Sequence, residues 1–248
     1  ALGYEVEFMD IKSIQKKYGA SGITAYELHN GVAQISDDTQ MTLFTANGTL
    51  FCFTRYATHG VLGASPADYI RDSYIEWLQT QTGEIDYTKQ HFNWIREVKG
   101  LHSRRAPGIT CLTALQSLAD GKEVINDSKG CGGIMRVVPL ALFAANPTTH
   151  DNTRQHIIDF AKEAGKAAAL THKHPLGYIP AAFLAILIQQ LMPYSYIRKD
   201  QIRECIDECI SILTEIYPEH RGHIDYIKTL TDKAISLSYD STSDAEAI

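Results

Sequence analysis

The sequence predicts an all-α protein, one compact domain over residues 1–248, and three observations carry that expectation. Ile157, Phe160, Ala161, Ala164 and Ala168 recur at helical spacing, with Lys162, Glu163 and Lys166 on the opposite face. The run 178–192, "YIPAAFLAILIQQLM", is apolar on nearly every side yet too short to cross a bilayer, so it reads as a central helix packed all round. Strand signals are nearly absent, and 32–35 is too short to organise a sheet.

The remaining elements follow in order. Helices fit 41–56, 66–80, 110–118, 135–145 and 220–236, and Ile202, Ile206, Ile210 and Leu213 make a further stripe. Pro, Gly and Asn clusters at 60–66, 106–108 and 146–147 fall between them. No repeat, low-complexity tract or linker divides the chain. The net charge of −6, without a basic stripe, argues against a nucleic-acid partner. No run is long enough for a membrane span. Five cysteines without framework spacing point to a reducing, cytoplasmic setting. Cys205 and Cys209 lie four apart in a helical stripe and read as two buried thiols rather than half of a metal site.

The stretch 35–44, "ISDDTQMTLF", sets two adjacent carboxylates between hydroxyls at the mouth of an apolar segment. One Asp or Ser there is an ordinary N-cap, helped by the positive end of the helix dipole. Asp37 and Asp38 together, flanked by Ser36 and Thr39, also suit an oxygen cage for a hard cation. In 126–136, "NDSKGCGGIMR", three glycines in four positions lead into a predicted helix. Their N–H groups at a positive helix end suit phosphate or carboxylate oxygens. The same glycines also suit a tight helix–helix turn. The pattern is neither a Walker loop nor a dinucleotide fingerprint. His172 and His174 stand in a connection between two helices, where an imidazole can meet a ligand or remain idle. Residues 104–110, "RRAPGIT", read as a Pro-Gly turn with Thr110 as a helix cap.

Together these segments resemble the ADP-ribosylglycohydrolases. Ser36-Asp37-Asp38-Thr39 is similar to the family's Thr/Ser-Asp-Asp-Thr metal motif, and 1–8, "ALGYEVEF", to its opening Gly-Asp-Ala-Leu-Gly…Val-Glu-Phe. Arg105-Ala106-Pro107-Gly108 matches its Arg-x-Pro-Gly turn, 128–136 its glycine loop before Met-Arg, and Leu170-Thr171-His172 its adenosine-side His segment. The resemblance implies an orthogonal multi-helix domain and a metal-dependent hydrolase. Its substrate would be an ADP-ribosylated protein or related ADP-ribose conjugate, cleaved at the glycosidic bond. It implies two Mg²⁺ or Mn²⁺ ions, with Ser36, Asp37 and Asp38 as metal ligands and Glu7, Asp37 and Asp38 as the catalytic carboxylates. It further implies a substrate-binding set of Ser128, Lys129, Gly130, Cys131, Gly132, Gly133, Met135 and His172. A second reading is a module that binds ADP-ribose or a nucleotide without hydrolysing it. The family's late Gly-Asp-x-Asp-Ser/Thr motif has no match, since Asp240-Ser241-Thr242 lacks its flanking residues. The expectation is therefore a chain truncated at both ends, inactive by itself and holding one side of the metal site.

Overall fold

The structure is a computed structural model that describes residues 2–61, 63–85, 91, 93–145 and 153–238. Its elements are helices apart from one small hairpin. They are α1 (Ile11–Tyr18), α2 (Asp37–His59), α3 (Pro66–Thr82), α4 (Ile109–Ala119), α5 (Val138–Ala144), α6 (Arg154–Ala169), α7 (Pro175–Leu191), α8 (Lys199–Ile216) and α9 (Arg221–Ser238). The predicted all-α class holds.

Local chemistry explains where the long helices start and stop. Ser65 and Asp68 close a capping box at the head of α3, with Pro66 in the first turn. Gly60 and Gly83 end α2 and α3 in the left-handed conformation, at φ 74° and 75°. Two core clusters then hold the helices together. Met41, Phe44, Ile70, Tyr74, Trp77, Leu115 and Leu140 pack the first, chiefly between α2, α3, α4 and α5. Ile158, Ile179, Ile186, Cys209, Ile212 and Ile224 pack the second, between α6, α7, α8 and α9. Helix α7 joins them, giving Ala181 and Ala185 to the first and Ile179, Ala182 and Ile186 to the second. That double burial is why its sequence lacks a polar face. Cys205 and Cys209 are buried free thiols, as expected.

Several boundaries differ from the sequence reading. The expected helix 135–145 is a 3-10 turn (Ile134–Arg136) followed by the seven-residue α5, whose second residue is Pro139. A proline cannot donate to an α-helical bond from upstream, so the α-helix restarts there. Helix α7 begins at Pro175 rather than Tyr178, because the His174 ring accepts the Leu176 N–H at 2.9 Å and caps it. Helix α1 was not foreseen. It buries no residue, although Ile11, Ile14 and Tyr18 fall at helical spacing between the Asp10 cap and Gly19. Leu28–His29 and Val32–Ala33 form an antiparallel pair across Asn30 and Gly31, both at positive φ. Asn-Gly is the preferred content of such a turn. The 146–147 cluster and Asp240-Ser241-Thr242 lie outside the described residues.

Candidate active site

The carboxylate cluster forms where α2 begins. Ser36 occupies the N-cap position, but its hydroxyl makes no cap bond and instead donates to Asp38 Oδ2 at 2.9 Å. The capping reading therefore accounts for the position of Ser36 and not for the use of its side chain. Asp37 is 5 % exposed, and its main-chain N–H donates to the Arg105 carbonyl at 2.8 Å. A backbone hydrogen bond from Gly108 reaches the Asp37 carboxylate. The Arg105–Gly108 turn is thus clamped onto the head of α2. Gln40 reinforces the clamp, donating to the carbonyls of Ser103 (2.9 Å) and Leu101 (3.3 Å) while Trp77 donates to its oxygen. Thr110 is not the cap of α4; Gly108 holds that position and the turn is spent on Asp37. Ala106 adopts φ 55°, an unusual backbone for a residue with a Cβ.

Glu7 follows the 3-10 turn Gly3–Val6 and joins the same neighbourhood. Burial, then the charges of Asp38 and Glu7, push Asp37 up to about 6. Desolvation and Asp38 raise Glu7 as well. Among the described residues none of the three carboxylates has a basic partner. Arg105 sends its guanidinium to Gln34 and towards the Tyr4 ring, 6.0 Å from its centroid. Asp38 and Glu7 are exposed, so the desolvation cost falls chiefly on Asp37, a buried acid without a counter-charge beside two further carboxylates. A hydroxyl and carboxylates are donors of the kind hard divalent cations prefer, although the Glu7, Asp37 and Asp38 oxygens do not all lie within 4.8 Å of one another. A separate group, Glu5, Glu27 and His29, does bring three ligand atoms within 4.8 Å of one another. It is already occupied internally, since His29 meets Glu5 while Lys17 and Tyr18 both bond Glu27.

The glycine loop is brought to α2 by Thr42, whose hydroxyl meets the Met135 carbonyl at 3.2 Å. On its other side it rests on the α6–α7 connection. Asn126 ties these together, donating to the Thr171 carbonyl and accepting the N–H groups of Ser128 and Lys173. Gly132 and Gly133 are needed for close approach and not for positive φ. A Cβ at Gly133 would lie 2.4 Å from the Gly177 carbonyl oxygen, and one at Gly132 would lie 2.7 Å from His172 Cε1. The loop feeds a 3-10 turn and the short α5, not a long helix, so little dipole supports an anion there. Ser128 is half-buried, while Lys129, Gly130 and Cys131 are exposed on the loop's outer surface.

A model of the ADP-ribosylglycohydrolase family matches residues 1–247, essentially the whole chain. The chain belongs to the ADP-ribosylglycohydrolase family. No curated protein and no solved structure matches it. In this family member His172 lies under the loop, 2 % exposed, with burial and the nearby Arg136 charge pulling its pKa down to about 4. Arg136 was not picked out by sequence reasoning. It is fully buried, stacked 4.4 Å from the Tyr74 ring centroid and bonded to Thr171 and the Ala167 carbonyl. A desolvated cation–π contact of this kind contributes about 2 kcal/mol. The sequence placed Arg136 at the end of the Met-Arg match that follows the glycine loop, with no role of its own. No described helix is long and apolar enough to cross a membrane.

Proposed function

We propose that this glycohydrolase removes ADP-ribose from a modified protein side chain or a related conjugate, using a divalent metal held by Ser36, Asp37 and Asp38. The observation that carries the reading is the use of Ser36. Its hydroxyl turns from the cap to Asp38 while Asp37 is buried beside it, and no cation pairs with either acid among the described residues. The Arg105–Gly108 turn holds Asp37 in place from both its N–H and its carboxylate. When bound, Mg²⁺ or Mn²⁺ supplies positive charge that orients ribose hydroxyls and makes water a better nucleophile.

The chain's own groups do the rest. Glu7, with its pKa raised, is suited to taking a proton from the attacking water and returning it to the departing side-chain atom. Water oxygen bonds to the anomeric carbon, the glycosidic bond breaks, and free ADP-ribose leaves with the acceptor restored. The loop of Ser128, Lys129, Gly130, Cys131, Gly132 and Gly133, running on to Met135, supports the diphosphate through its backbone and the exposed Lys129. His172 acts from beneath that loop. The cytoplasm suits such a substrate and the five free thiols.

The test is release of free ADP-ribose from an ADP-ribosylated protein with millimolar Mg²⁺ or Mn²⁺. Asp38→Asn and Asp37→Asn should each lower turnover by about a hundredfold or more, the scale on which single acid–base and metal-site groups act. Unchanged turnover in a folded Asp38→Asn protein would remove the metal assignment. Tight ADP-ribose binding with no release, by a chain that also carries the family's late Gly-Asp-x-Asp-Ser/Thr motif, would favour the binding module.

A further inference from the structure

Arg136 is a fully buried cation whose described partners include no carboxylate, and its Nε has no hydrogen-bond partner among the described residues. Its shortest contact is Nη2 to Thr171 Oγ1, at 2.7 Å. A guanidinium can only donate, so the Thr171 oxygen accepts. The hydroxyl then keeps one proton to give, and His172 Nδ1 stands 2.8 Å away. The hydroxyl's other neighbour is the Cys111 sulfur, a weak acceptor that burial holds as a thiol. The proton therefore goes to Nδ1. A neutral imidazole that accepts at Nδ1 carries its own proton at Nε2. That edge of the ring lies against the loop: a Cβ on Gly130 would be 3.3 Å from Nε2, and one on Gly132 would be 3.1 Å from it.

We propose that Arg136 and Thr171 are positioning residues that lock His172 as the neutral Nε2–H tautomer, placing a fixed hydrogen-bond donor beneath the glycine loop. The opposite tautomer would put a lone pair there and repel oxygen atoms. Protonation of both nitrogens is opposed by burial and by the Arg136 charge. An Nε2–H donor favours an oxygen-rich anionic ligand segment over the loop, a consequence that rests on the diphosphate reading above. The tautomer itself does not.

The experiment is ¹⁵N NMR of the full chain labelled at histidine, with His172→Gln used to identify the His172 signals. Wild-type protein should show Nδ1 unprotonated and Nε2 protonated, unchanged from about pH 5 to about pH 8, where exposed imidazoles titrate. Thr171→Val should mix the tautomers and weaken ADP-ribose binding in calorimetry by about tenfold, or 1.4 kcal/mol. Thr171→Ser, which keeps the hydroxyl, should restore both. A wild-type spectrum with the proton on Nδ1 overturns the proposal, even if the Val variant fails to fold. So does a folded Thr171→Val that keeps the wild-type tautomer, or a Ser variant that fails to restore it. If the tautomer behaves as stated while ADP-ribose affinity stays constant, the relay stands and the diphosphate reading of the loop falls.

Discussion

The main-chain N–H of Asp37 donates to the carbonyl of Arg105 at 2.8 Å, which fastens the first residue of α2 to the turn before α4. This bond and the Gly108 contact to the Asp37 carboxylate fix a buried acid in the absence of a basic partner among the described residues. Its cost should be measurable as a dependence of stability on pH.

Asp37 has its folded-state pKa raised from 3.8 to about 6, chiefly by burial. A raised carboxylate contributes stability below its unfolded pKa and loses it as pH rises through the folded value. In chelator, Asp37→Asn should match wild type near pH 4 and exceed it above pH 6 by on the order of 2–3 kcal/mol, at 1.36 kcal/mol per unit. His172, pulled down to about 4, acts in the opposite direction as pH falls, so the informative quantity is the difference between the two proteins. Urea unfolding across this range measures it. A flat difference would mean that Asp37 is not desolvated in solution. Mn²⁺ should stabilise the wild type more than the variant, because only the wild type keeps the acid that would hold it.

The glycine loop gives a prediction with an internal control. Gly133→Ala forces a methyl to 2.4 Å from the Gly177 carbonyl oxygen and should destabilise the fold by about 1–3 kcal/mol, as overpacking does. Gly130→Ala, whose nearest contact is 3.3 Å, should cost about 1 kcal/mol or less, within the range of mild substitutions. Denaturant midpoints for the two variants settle the comparison. Equal midpoints would mean that the loop is not seated on α7.

Cys131 is the exposed cysteine, while Cys52, Cys111, Cys205 and Cys209 are buried. A thiol reagent should label Cys131 rapidly in native protein and the other four only on unfolding. ADP-ribose should slow that labelling if the loop holds its diphosphate. Mass spectrometry of the labelled chain reads both effects. Rapid native labelling of Cys111 would contradict the packing around Arg136.

The sequence by itself determined the helical class and the central position of α7, because burial on all sides leaves its mark directly in composition. It also determined which residues are chemically unusual, the Asp37-Asp38 pair and the glycine loop, since adjacent acids and clustered glycines stand out without coordinates. It misjudged the helix start at Val138, one residue before Pro139, and the Asn30-Gly31 hairpin, although both carried local turn chemistry. What only the tertiary structure decided was how those residues are used. Ser36 could cap or bond a carboxylate, and the choice depends on where Asp38 points. Thr110 read as a cap, yet the turn before it is committed to Asp37, a contact between distant segments that no local pattern encodes. The glycines read as a ligand cradle, and the fold uses Gly132 and Gly133 first to seat the loop on His172 and Gly177. The use of Arg136 was invisible because a buried cation held by a ring, a hydroxyl and a carbonyl has no sequence period. Its partners Tyr74, Thr171 and Ala167 come together only when α3, the loop and α6 pack.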